Sequence, residues 1–316
     1  PMPAIITITL NPAIDKLTSA PVLIPEKKLR CSVPVFEPGG GGVNVARAIK
    51  KLGGNALAIY LAGGHTGHFF NQLLREEHVE ALVTETHAYT RENLIVLETA
   101  SNQQYRFGMP GPHIRETEWQ DCLNNIEKQT GVEYIVASGS LPPGVPTDIY
   151  ARIAWIANKK KARLIVDTSG EALKQAVHEG VYLIKPNLGE LSSLAGKEVL
   201  QIESIDDLAI EIISAGTCEV IVVSMGQTGA MLVTKDLALQ IVPPPVQRKS
   251  TVGAGDSMVA GIVMSLEAGK PLIDAVQYGV ACGTAATMNS GTQLCRKEDV
   301  DRLFQLIHGK SPLQAI

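Results

Sequence analysis

Short runs of β-branched and other apolar residues punctuate the chain: AIITITL (4–10), ALAIYLA (56–62), YIVASGS (134–140), RLIVDTS (163–169), VYLIKPN (181–187) and EVIVVSMG (219–226). Each is apolar over successive positions, the pattern of a strand buried on both faces. Between them lie helix-length segments such as VARAIKKLG after residue 44, FFNQLLREE near 70 and IYARIAWIANKKK after 149. This alternation predicts an α/β fold, a mostly parallel sheet with helices on both faces. Functional groups then gather at the carboxyl ends of the strands. Roughly the last 60 residues read as helical. There, Val259, Ile262, Val263 and Leu266 fall at i, i+3, i+4 and i+7, one buried helix face. Asp256 therefore sits in a first turn behind the loop STVGAG. An aspartate at that position has a purely structural use too, because it satisfies free N–H groups and complements the helix dipole.

Two segments break the alternation. Residues 13–38 carry several prolines and extended-looking alternation, and residues 91–109 (RENLIVLETASNQQYRFGM) hold two strand-like runs joined by ASNQ, a hairpin pattern. The expected organisation is a core of residues 1–12, 39–90 and 110–316, with 13–38 and 91–109 forming a small β-structured lid. Apolar lid strands with free edges suit pairing with a second copy, so a homodimer through the lid is expected.

Composition narrows the function classes. The net charge of −4 lacks the concentrated basic face that nucleic acid requires. The cluster Lys159-Lys160-Lys161 before a strand reads as a solvated helix end. No apolar run is long enough to span a membrane. Five widely spaced cysteines without a CxxC pair, and no leader pattern at the start, fit reduced thiols in a cytoplasmic protein. His65 and His68 lack a third ligand nearby, which argues against a metal centre there.

The predicted strand ends carry the chemistry. PGGGGVNVARA (38–48) puts four glycines before a helix, where a ligand can approach backbone, with Asn44 in the first turn to bind hydroxyls. VSMGQTGA (223–230) leaves room for a flat base or a phosphate chain, though the same residues suit a plain hairpin. KPNLGEL (185–191) bears Lys185, Asn187 and Glu190. The last two share a helix face that can hold hydrated Mg²⁺, or equally cap the helix. There is no GxxxxGK[ST] motif, and GAGDSM lacks the third glycine of GxGxxG, so a nucleotide would be held without a P-loop.

Taken together, GGGGVNVARA and STVGAGDSMVAG resemble the two signatures of the ribokinase-like (PfkB) carbohydrate kinases. TLNPAID (9–15), SGSLPPG (138–144), KPNLGEL and VSMGQTGA match further blocks of that family in order. TLNPAID and SGSLPPG point to members acting on phosphorylated ketohexoses. GGGG in place of GGKG, with KLRC and VFEP upstream, resembles the 6-phosphofructokinase branch. That branch ends GTRLC where this chain has GTQLC, so Gln293 removes a positive charge.

The resemblance implies ATP-dependent phosphorylation of fructose 6-phosphate at the C1 hydroxyl. Tagatose 6-phosphate or fructose 1-phosphate are the alternative substrates, and a catalytically silent sugar-phosphate sensor is the remote one. Asp256 would be the general base, and Gly253, Ala254 and Gly255 the anion hole. Asp15, Gly40, Gly41 and Asn44 would bind sugar hydroxyls, with Lys28, Arg30, Arg91 and Ser140 around the 6-phosphate. Lys185, Asn187, Ser224, Gly226 and Gly229 would serve the nucleotide, with Asn187 and Glu190 holding Mg²⁺ through water. Ser250, Val252, Ala286, Asn289 and Gly291 would form a monovalent-cation site, with K⁺ the expected ion.

Overall fold

The computed structural model describes residues 3–197 and 204–309. Its strands are β1 (Ile5–Thr9), β2 (Ala13–Ala20), β3 (Val35–Gly39), β4 (Leu57–Gly63), β5 (Glu80–Thr86), β6 (Arg91–Glu98), β7 (Gln103–Phe107), β8 (Tyr134–Ser138), β9 (Arg163–Asp167), β10 (Val181–Ile184), β11 (Cys218–Ser224), β12 (Ala230–Thr234) and β13 (Leu237–Ile241). The helices are α1 (Gly41–Lys51), α2 (Gly64–Glu76), α3 (Glu116–Lys128), α4 (Ile149–Lys160), α5 (Gly170–Glu179), α6 (Leu188–Ala195), α7 (Ile205–Ser214), α8 (Ala254–Glu267), α9 (Leu272–Thr287) and α10 (Lys297–His308).

Nine strands form the central sheet in the order β13-β12-β11-β10-β9-β8-β1-β4-β5. Pairing is parallel from β11 to β5, and β12 and β13 add an antiparallel edge. Successive strand residues feed opposite faces. Ile135 and Ala137 of β8 pack with α3, α4, α5 and α7, whereas Tyr134 and Val136 pack with α1, α8, α9 and α10. The run pattern predicted this double burial. The strands β5, β12 and β13 did not stand out in it: β5 and β13 are the edges, which need less continuous apolar sequence, and β12 is a five-residue antiparallel strand between β11 and β13.

From β1 the chain proceeds to β4 and β5 on one side, then returns to β8 through β11 on the other. The order therefore reverses between β1 and β8, and the crevice beyond their carboxyl ends is the place where such sheets bind ligands. The glycine run lies there, for a reason the sequence alone did not give. A Cβ on Gly41 would lie 2.7 Å from the Ser138 carbonyl carbon, and one on Gly42 the same distance from that of Ile8. These glycines let α1 start against the ends of β1 and β8, so they serve helix–strand packing in addition to any ligand. Thr9 Oγ1 accepts the Val43 N–H at 2.7 Å and fixes that approach.

The second sheet has four strands in the order β3-β2-β6-β7. β2 pairs antiparallel with β3 and parallel with β6, and β6 and β7 form the antiparallel hairpin expected from RENLIVLETASNQQYRF. Among the described residues no helix is long and apolar enough to cross a membrane.

Candidate active site

Asp256 stands in the first turn of α8, whose N-cap Gly253 has φ +73°. That left-handed conformation costs glycine little and most other residues more, so the sequence GAGD can turn sharply into the helix. The helix is seated by small residues. A Cβ on Gly283 of α9 would come within 3.1 Å of the Ala254 carbonyl oxygen, and one on Gly261 within 3.0 Å of Gly279. The α8–α9 seam thus fixes where the free N–H groups of α8 point.

The half-buried Asp256 carboxylate receives one side-chain hydrogen bond, from Asn44 Nδ2 to Oδ2 at 2.9 Å. Burial raises its pKa to about 7, and the nearby charge of Asp167 adds to the rise. The Asn44 bond and the positive charges of Lys185 and Arg47 act in the opposite direction. Lys185, itself buried, lies 3.4 Å from Asp167 Oδ1. Its ammonium is close enough to Gly255 that a Cβ there would be 3.2 Å away. A cation thus sits beside the positive end of a helix, an arrangement suited to an anion.

The four-stranded sheet supplies the other wall. Glu37, Asp15 and Asn93 are aligned across β3, β2 and β6. Asn93 Nδ2 donates to Asp15 Oδ1 at 3.0 Å. Burial raises the pKa of Asp15 and of Glu37, opposed in Asp15 first by the Asn93 bond and in Glu37 first by Arg47. Arg91 donates to the carbonyls of Asn11 (2.8 Å) and Met109 (2.9 Å), and its buried Nε makes no hydrogen bond. Asn11 also donates to Ser140 Oγ at 3.1 Å, linking the ends of β1 and β8. Gly40, with φ +113°, leads into α1. Lys28 and Arg30 project from the exposed stretch 21–34, and no hydrogen bond or ion pair joins them to this cluster.

Of the residues expected to serve a nucleotide, Ser224, Gly226 and Gly229 line a cavity of about 220 Å³ together with Ala254 and Gly255, whereas Lys185 and Asn187 are not part of its lining. The main-chain N–H of Ser224 donates to the Pro186 carbonyl at 2.9 Å, which ties the KPN and VSMG segments together. The loop VSMGQTGA is a turn joining antiparallel β11 and β12, and its Ser224, Gly226 and Gly229 also line this cavity. Asn187 and Glu190 form a reciprocal capping box on α6 at 2.9 Å each way, with Glu190 bonding through Oε2. The cap occupies the Asn187 side-chain oxygen and leaves one carboxylate oxygen, Glu190 Oε1, so of the two it is Glu190 that fits a hydrated Mg²⁺.

The main-chain N–H groups of Lys249 and Ser250 both donate to the Thr287 carbonyl, which brings Ser250 and Val252 to the segment holding Ala286, Asn289 and Gly291. Asn289 Nδ2 donates to the Leu294 carbonyl at 2.8 Å and shapes that loop.

Several site residues were missed from sequence. Met258, Val280, Gly283, Thr284 and Thr287 line the same cavity, but on apolar helices they read as core. Arg248 and Thr251 flank the same cavity, and Arg106 of β7 reaches Thr251 Oγ1 at 3.1 Å. Asp167 ends β9, where the strand-end rule would have found it. Gln293 is exposed and accepts from Arg296 at 3.2 Å.

With an anion-seeking helix end, a carboxylate and a polar second sheet converging, the class of the protein follows. Residues 5–299 match the pfkB family of carbohydrate kinases, and the chain belongs to that family. It is 45% identical to the ATP-dependent 6-phosphofructokinase isozyme 2 of Escherichia coli over 96% of this chain and 98% of that one. The Mycobacterium tuberculosis isozyme 2 is 42% identical over 96% and 90%, and the Bacillus subtilis 1-phosphofructokinase 31% over 95% and 97%. The fold superposes on the E. coli phosphofructokinase-2 complex with potassium with a TM-score of 0.93, at 45% identity, covering 97% of this chain and all of that one. Its complex with fructose-6-phosphate matches with a TM-score of 0.92 at 43% identity over the same shares of the two chains. A tetrameric inhibited form of that enzyme matches at 0.92 and 44% identity, again over those shares.

Proposed function

We propose that the chain transfers the γ-phosphoryl group of ATP to the C1 hydroxyl of fructose 6-phosphate, giving fructose 1,6-bisphosphate and ADP. The observation that carries this reading is the Asp256 carboxylate, oriented by Asn44 at the start of α8 with Lys185 beside it. In-line phosphoryl transfer depends on positioning and charge stabilisation. As the C1 oxygen forms its bond to the γ-phosphorus, the bond to the bridging β–γ oxygen breaks, and Asp256 Oδ1 takes the hydroxyl proton. The N–H groups of Gly253, Ala254 and Gly255 would stabilise the charge on the transferring group, as helix N-termini do.

Asp15, Gly40, Gly41 and Asn44 would bind the sugar hydroxyls, and Arg91 and Ser140 its 6-phosphate, with Lys28 and Arg30 as further candidates. Lys185, Asn187, Ser224, Gly226 and Gly229 would hold the nucleotide. Glu190 would hold Mg²⁺ through water, and Ser250, Val252, Ala286, Asn289 and Gly291 a K⁺ ion. The metal, when bound, neutralises phosphate charge.

The four-stranded sheet would act as the lid, excluding water that would otherwise hydrolyse ATP. Its exposed Val35, Leu97, Tyr105 and Phe107 would be covered by a second copy, giving a homodimer through that face. The choice of fructose 6-phosphate is supported by the higher identity to the two 6-phosphofructokinases than to the 1-phosphofructokinase. A panel of fructose 6-phosphate, tagatose 6-phosphate and fructose 1-phosphate, read by ADP release, tests it. The first should give the highest kcat/KM, and parity among the three would reject the assignment.

A further inference from the structure

Arg47 is a buried cation in the middle of α1, only 2% exposed. Its Nε and Nη2 hold the Glu77 carboxylate at 2.7–3.0 Å, while Nη1 donates to the Pro38 carbonyl (2.8 Å) and to Asn44 Oδ1 (3.1 Å). A guanidinium only donates, so the oxygen of the Asn44 amide must face Arg47. The amide nitrogen is thereby turned toward Asp256, where it donates at 2.9 Å. Without Arg47 the amide would be free to rotate and offer its oxygen to the carboxylate, exchanging an attraction for a repulsion.

We infer that Glu77 and Arg47 are positioning residues for phosphoryl transfer, holding the Asn44 amide in the one orientation that keeps Asp256 an aligned, ionised base. Neither touches the reacting atoms. The inference rests on Asp256 being that base. Other groups face Asp256 as well: Asp167 at the end of β9, whose charge opposes ionisation, and Lys185 after β10, whose charge favours it. Arg47 adds its own favourable charge and also stands near the carboxylates of Asp15 and Glu37. Glu77 anchors the guanidinium from the loop after α2, 30 positions away along the chain. A bidentate pair of this kind fixes a plane that a lysine ammonium would not.

The test is the pH profile of kcat/KM for Arg47→Met and Glu77→Gln, beside the wild type and Asp256→Asn. The acid limb should move upward by about one pH unit in Arg47→Met, the scale of losing a nearby favourable charge and bond. It should move by less in Glu77→Gln, which leaves Arg47 in place. Activity near pH 6 should then fall by about 10-fold in Arg47→Met and recover toward the wild-type value at alkaline pH. An acid limb that stays in place in both folded variants, with activity reduced equally at every pH, would overturn the inference and leave Arg47 a packing residue. Should Arg47→Met fail to fold, the Glu77→Gln profile decides alone. If Asp256→Asn kept its turnover, the base assignment itself would fail, an outcome distinct from an unmoved limb.

Discussion

Asp256 and Asn44 stand on α8 and α1, helices whose apolar faces are buried against the nine-stranded sheet. Asp15 and Arg91 stand instead on β2 and β6, in a sheet whose last strand, β7, is exposed at four of its five positions. The first pair is held by interior packing: the glycine seam of α8 and α9, and the close start of α1 against β1 and β8. The second stands near the starts of β2 and β6, held by the strand ladder and by hydrogen bonds from Asn93 to Asp15 and from Arg91 to two carbonyls, while the far strand β7 has little to pack against. Local stability follows buried apolar contact, so the proposed reacting end is the more rigid half and the four-stranded sheet, proposed to bind the sugar, the more adaptable one. A kinase that must shut out water during transfer and release product afterwards needs that division.

Removing the charge on the rigid side should have the largest effect. Asp256→Asn is expected to lower kcat by at least ~10²-fold, the scale of a general base, while sugar-phosphate binding measured by calorimetry persists. It should also change stability in a pH-dependent way. The pKa rises from 3.8 unfolded to about 7 folded. Between those values the native carboxyl holds a proton that the unfolded chain has released, so this group's contribution to stability falls as pH rises through the window. The asparagine variant should therefore melt higher than wild type at about pH 8, with the difference vanishing below about pH 4. A difference independent of pH would mean that Asp256 is not held in a strained, desolvated state.

On the adaptable side, Arg91→Gln should raise KM for the sugar phosphate by about 10–100-fold, the worth of a charge-assisted bond to phosphate. Steady-state kinetics should show kcat within a few-fold of wild type. A matching collapse of kcat would erase the distinction between the halves. The mildest change is at the exposed face: Tyr105→Lys with Phe107→Lys should shift sedimentation toward monomer and raise KM by roughly 3-fold, since like charges disfavour pairing across an exposed face. Unchanged assembly would mean that another surface joins the copies.

The central sheet and most helices were legible because burial on both faces leaves a continuous apolar run, and Asp256 was legible because GAGD opens an apolar helix. What could not be read depends on contacts distant in sequence. Arg47 in VARAIKKLG looks like the basic side of a helix until Glu77 and Pro38 are seen to converge on it. Gly283, Thr284 and Thr287 look like helical core, and only the arrival of α8 makes them a cavity wall. The glycines at 41 and 42 were read as room for a ligand, and their close approach to the ends of β1 and β8, which packing also requires, could not be seen without the sheet.

The hydrogen bond from Arg106 to Thr251 joins the last strand of the second sheet to the wall of the cavity proposed to take the nucleotide. Any ligand that competes for the Thr251 hydroxyl therefore does work on that sheet, and any ligand that draws the sheet elsewhere changes what the cavity offers. Binding free energies coupled in this way are reciprocal. The factor by which one substrate alters the affinity of the other is then the same whichever arrives first.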